Sequence, residues 1–106
     1  MNSWIYLLIA GIFEILWVTS LKFSNSFSKI IPSILTTIFM IASLLFLSYS
    51  FKSINMGTAY ACWTGIGAVG AIIVGILFFK EITSTLQIGF LVMIIIGIVG
   101  LKLTSV

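Results

Sequence analysis

Three features of this sequence predict an all-α membrane protein of four transmembrane helices. Of its 106 residues, 61% are hydrophobic and 7% charged, against roughly 45–50% apolar in an ordinary soluble domain. The apolar residues fall into four stretches, about 3–21, 30–50, 58–79 and 84–103, each near the ~20 residues a helix needs to cross ~30 Å of hydrocarbon. The stretches are joined by short connections that carry four of the five lysines. A single four-helix domain, residues 1–106, follows, with no room between spans for an extramembrane domain.

The first span is interrupted by one acid, Glu14, within GIFEILW. Met1-Asn2-Ser3 lacks the basic start of a secretory signal and the apolar run behind it is full length, so this helix is expected to be retained. The second span opens with Pro32 in its first turn, where a missing amide proton costs little. Asn55-Met56-Gly57 is expected to turn the chain ahead of the third span. That span carries Tyr60, Trp63, Gly67 and Ala71 at i, i+3, i+7 and i+11, so two amphipathic aromatics share a stripe with small residues. Gly67, Ala71 and Gly75 form a small-xxx-small series that permits close helix packing, and Gly65 with Gly67 offers a bend point. The fourth span holds Gly89, Gly97 and Gly100 among aliphatic residues and no ionisable group before Lys102, which suits association between chains. Trp4, Tyr6 and Tyr49 lie near span ends and fit an interfacial aromatic belt.

Composition excludes several chemistries. The chain has no His, Arg or Asp and one cysteine, Cys62, so a lone copy contains neither a Cys–His couple nor a set of metal ligands, and no nucleophile, base and orienting group converge. No enzyme activity, cofactor or metal is expected. The net charge of +3 comes from five lysines at span edges, where it marks topology and headgroup contact, not a soluble nucleic-acid-binding face. Lys52 and Lys102 stand on the side of the termini, and Lys22, Lys29 and Lys80 on the other. Two against three is almost no bias, which allows insertion both ways and pairing of opposite copies as an antiparallel dimer. It also argues against an obligate heterodimer, whose members need clearer opposite biases.

Glu14 is the residue to explain. A charged side chain at mid-span costs roughly 2.5–3.5 kcal/mol on insertion scales, and such groups mark ion and proton pathways. The cost falls on the ionised form, which suits reversible protonation; the competing reading is a protonated acid acting as polar glue between helices. Gly11 and Trp17 share its face, one permitting close approach to the backbone, the other offering an indole N–H. Aromatic faces beside a carboxylate make a cation site, whereas the same stripe in another setting is core packing. Glu81, next to Lys80 at a span end, reads as a solvated loop residue.

At GIFEILWVTSLKFS, IPSILTTIFMIASLLFLS, GTAYACWTGIGAVGA, FFKE and GIVGLKLTS the chain resembles the small multidrug resistance transporters over essentially its whole length. Trp17 three residues after Glu14, together with WTGIGAVG from Trp63 to Gly70, is similar to the guanidinium-exporter branch. The resemblance implies a multi-pass protein of the bacterial cytoplasmic membrane, an antiparallel homodimer, and proton-coupled export of guanidinium at a site built from Glu14 of both chains. It implies that Gly11, Trp17 and Ser43 hold the Glu14 carboxylates in a hydrogen-bond network and that Tyr60 and Trp63 line the pocket. Met40 stands where the broad multidrug branch often has an aromatic, which favours the narrower substrate. Guanidinium is planar, always cationic and able to meet a carboxylate in bidentate fashion. Two alternatives stay open: efflux of quaternary ammonium or other lipophilic cations by the same antiport, and a structural or regulatory membrane subunit.

Overall fold

The computed structural model describes residues 3–104, which form four α-helices: α1 (Ser3–Phe23), α2 (Ile30–Ser50), α3 (Met56–Phe78) and α4 (Thr85–Thr104). All four are long and apolar enough to cross a membrane. α3 starts earlier than the hydropathy suggests. Met56 and Gly57 belong to its first turn, not to a preceding loop, because the Asn55 carbonyl already accepts the Ala59 amide at 2.9 Å. Gly65 and Gly67 leave α3 a single uninterrupted helix.

α1 is the central element, packed on both α2 and α3, while α2 and α3 barely meet and α4 packs its backbone on α3 alone. The buried core is small: Leu7, Ala10, Leu47, Ile54, Ala59, Cys62 and Trp63. Most large aliphatic side chains instead face outward, as they do when the solvent is lipid and association depends on close packing and not on hydrophobic burial. α4 is the extreme case, with no buried residue.

An aromatic ladder fastens α1 to α2. Tyr6 lies 5.6 Å from Tyr49 and 6.1 Å from Phe46, and Phe13 lies 5.7 Å from Phe46 and 6.0 Å from Phe39 between ring centroids. Tyr6 and Phe13, like Phe39 and Phe46, are seven residues apart, so each pair projects from one helix face. Three threonine hydroxyls within the spans are satisfied locally: Thr19 donates to the Ile15 carbonyl (2.7 Å), Thr36 to Pro32 (2.8 Å) and Thr37 to Ser33 (3.1 Å). Such bonds spare a hydroxyl the cost of meeting lipid unpaired.

The turn between α1 and α2 runs left-handed through Asn25, Ser26 and Phe27, with φ of 48°, 62° and 67°. For residues with a Cβ this costs roughly 1–2 kcal/mol each. Buried Ser24 offsets it: its hydroxyl donates to the Leu21 carbonyl (2.7 Å) and accepts the Phe27 amide (3.0 Å), while its carbonyl accepts the amides of Ser28 and Lys29. Lys22 and Glu81 meet at this end of the bundle, and Ser3 and Ser53 at the other. The two lysine groups inferred from the sequence thus sit at opposite ends of the molecule.

Candidate functional site

Glu14 lies midway along α1 with only 8% of its surface exposed. It makes no hydrogen bond or ion pair among the described residues. Its place is created by α3. A Cβ added at Gly67 would fall on Glu14 Oε1, so the carboxylate occupies the volume that any other residue at 67 would fill. The α1–α3 seam is built throughout from such approaches. Gly11 receives Ile66, whose Cγ2 would stand 2.5 Å from a Cβ there, and Gly70 receives Ile15. Gly67 and Ile66 are therefore site residues that the sequence reading assigned only to packing or did not single out.

One turn before Glu14 a polar tie crosses three helices. Ser43 of α2 donates to the Ala10 carbonyl of α1 at 2.7 Å and accepts the Trp63 Nε1–H of α3 at 2.9 Å. Ser43, Ala10 and Trp63 are all buried. In a regular helix the Ala10 carbonyl is also the acceptor for Glu14's own amide, so the tie fixes the backbone turn from which the carboxylate projects. Ser43 spends its hydroxyl on these two partners and makes no hydrogen bond to Glu14 within the chain. Ser43→Ala removes the acceptor from a buried indole N–H, an expected loss of roughly 1–3 kcal/mol. A fall in the thermal unfolding midpoint of the purified protein checks this, and an unchanged midpoint refutes it.

The remaining predicted site residues divide. Tyr60 packs beside Trp63, ring centroids 5.5 Å apart, yet is 56% exposed. Trp17, three residues after Glu14 on the same side of α1, keeps its Nε1–H buried with no partner among the described residues. A buried acceptor and a buried donor with unspent hydrogen-bonding capacity on one face are equipped to bind a polar ligand or a second chain. Away from them, a cavity of about 380 Å³ opens at the terminal end between α1, α3 and α4, beside Trp4, Cys62 and Lys102. Of the site residues only Ile66 reaches its wall, and Glu14, Trp17, Ser43, Tyr60 and Trp63 do not line it. Glu81 is also not simply solvated: it is ion-paired with Lys22 at 2.7 Å.

Four membrane-length helices, with a buried acid between α1 and α3 that has no partner among the described residues, define a small multi-pass membrane transporter, since ionisable groups at such depth mark ion and proton pathways. The chain belongs to the small multidrug resistance family: the family model described as Small Multidrug Resistance protein matches residues 2–96. Among curated relatives, the guanidinium exporter of Escherichia coli O6:H1 is 48% identical over 103 residues, covering 97% of this chain and 98% of that protein. The guanidinium exporters of Yersinia pestis and Salmonella typhimurium are each 50% identical over 103 residues, with 97% of this chain covered and 99% and 98% of theirs.

Proposed function

We propose that this protein is a proton-coupled antiporter that exports guanidinium across the bacterial cytoplasmic membrane, with Glu14 holding a proton and the cation in alternation. The observation that carries the reading is the buried Glu14 carboxylate, without a partner among the described residues and given room by Gly67. Near-identity in length and about half identity in sequence to proteins named guanidinium exporter supply the substrate. A planar fork of donors matches a carboxylate flanked by indoles better than a quaternary ammonium does, which has no donors at all.

Coupling follows from competition. A protonated Glu14 has lost the charge that attracts guanidinium, and a guanidinium-bound Glu14 resists protonation, so one site serves the two cations by turns. If only occupied transporters change between openings, each cation leaving requires protons entering. In an antiparallel homodimer two Glu14 side chains face one substrate. Exchange of two protons for one guanidinium then moves one net charge inward, and the membrane potential contributes about 2.3 kcal/mol per 100 mV.

The lipid-facing α4 supports pairing between chains. None of its residues is fully buried, although Ile98 packs against the core, and Gly89, Gly97 and Gly100 each have open space where a Cβ would stand. Small residues on a free helix face let a second backbone approach closely. With lysines divided two against three, a compartment-sensitive reporter fused at the C-terminus is expected to register on both sides of the membrane; signal from one side only contradicts dual insertion.

The function is tested by transport current from purified protein in liposomes on a capacitive electrode, with guanidinium and with a bulky quaternary ammonium. Current with guanidinium is expected. Current with the bulky cation alone assigns the protein to multidrug efflux, and silence with both points to a subunit that needs a partner.

A further inference from the structure

A second carboxylate stands at the end of the seam that holds Glu14. Glu14, Val18 and Lys22 follow one another at four-residue intervals on α1, and Gly67, Ala71 and Gly75 do so on α3. Val18, Lys22, Ala71 and Gly75 line one open cavity of about 190 Å³, together with Phe79 and Glu81. Glu81 is folded back into this position. Lys80 takes a left-handed φ of 53°, the Glu81 amide donates to the Gly75 carbonyl at 3.0 Å, and a Cβ at Gly75 would collide with Glu81 Oε1. The cavity mouth already holds a cation: Lys22 Nζ donates to Glu81 Oε2 at 2.7 Å and lies 4.5 Å from the Phe79 ring centroid.

We propose that the Glu81 carboxylate and the Phe79 ring form an outer cation-binding station for the transported guanidinium, occupied at rest by the Lys22 ammonium, which the incoming cation displaces. The inference rests on the guanidinium reading and adds a step to it. A carboxylate beside an aromatic face binds compact cations by charge and by the ring quadrupole. Lys22 engages one carboxylate oxygen, whereas guanidinium engages both with parallel N–H donors and, being more weakly hydrated, stacks on the ring at lower cost. Both partners of the ion pair are half-exposed, so the bond to be exchanged is screened and weak. Lys22, once displaced, extends into water on its flexible stem. No covalent step is involved.

The station predicts effects of opposite sign. In liposome current measurements over a range of guanidinium concentrations at fixed pH, Lys22→Gln vacates the station and lowers KM by about two- to fivefold, while Glu81→Gln raises it by about the same factor. Saturating guanidinium restores the current of Glu81→Gln, and Glu81→Asp recovers part of the affinity. The double variant Lys22→Gln/Glu81→Gln matches Glu81→Gln, because Lys22 has nothing left to block. Lys29→Gln removes a charge from the same end of the molecule and leaves KM unchanged. A structural clasp predicts instead that both single variants shift KM the same way, and a diffuse field effect predicts that Lys29→Gln acts like Lys22→Gln; either result overturns the station. Unchanged KM in both single variants overturns it as well. Absence of guanidinium current in the wild-type protein overturns the transport reading and the station with it, so the two failures are distinguishable. Chromatographic profile and thermal midpoint establish that each variant is folded, and the double variant, which leaves no unpaired charge, tests the station if a single one is not.

Discussion

Glu14→Gln yields a folded protein that carries no guanidinium current. The amide keeps the shape that fits beside Gly67, and it removes the charge whose burial costs roughly 2.5–3.5 kcal/mol on insertion scales. The thermal midpoint is therefore expected to stay level or rise. Function is lost because an amide neither takes up a proton at physiological pH nor neutralises a cation in a low-dielectric site. A variant that still exchanges guanidinium for protons would remove Glu14 from the mechanism, and one that cannot be recovered as a folded protein would favour a structural role as glue between helices.

Gly67→Ala has the second large effect, from a single methyl group. Its Cβ would occupy the position of Glu14 Oε1, so either the carboxylate rotates away or α1 and α3 separate. Forcing one methyl into a packed seam costs typically 1–3 kcal/mol. Here that cost falls on the geometry of the binding group. Transport is expected to drop by at least about tenfold, the equivalent of 1.4 kcal/mol in transition-state or binding energy, while the protein remains helical and folded. Gly57→Ala is the matched control on the same helix, because nothing lies within 4 Å of a Cβ there, and it is expected to transport as the wild type does. Liposome flux of the two variants side by side decides the point. A wild-type rate in Gly67→Ala shows that the carboxylate does not need the space that glycine gives it.

The four spans were legible because hydropathy and helix length are both local properties. Where the helix boundaries moved, the cause was backbone bonding that hydropathy does not register: Asn55 caps α3 through its carbonyl and draws Met56 and Gly57 into the helix. Glu14 was conspicuous as an acid in an apolar run. Its counterpart was not, because Gly67 also belongs to the small series with Ala71 and Gly75, and spacing alone does not say whether a neighbouring helix or a side chain fills the gap. The signal was present in the matching four-residue intervals of Glu14-Val18-Lys22 and Gly67-Ala71-Gly75, but only the relative position of α1 and α3 brings the two rows together.

Partners distant in sequence were the least readable. Glu81 has Lys80 beside it in the chain, yet it pairs with Lys22, 59 positions away, because the left-handed Lys80 turns the loop back over Gly75. Trp63 and Ser43 likewise meet across α2 and α3, and neither residue's neighbours announce the bond. Tyr6 and Tyr49 lie near span ends, where an interfacial role suits them, and their rings also meet at a tilt within the α1–α2 ladder. In each case the residue type was informative and the partner was set by tertiary register.

The most direct test of alternating occupancy at Glu14 is proton release on binding. Guanidinium is added to the purified protein in weakly buffered solution, and the pH is followed against Glu14→Gln. Release that saturates with guanidinium in the wild-type protein and vanishes in the variant is the predicted result. Saturable guanidinium binding with no proton release, or equal release from both proteins, would contradict exchange of the two cations on this carboxylate.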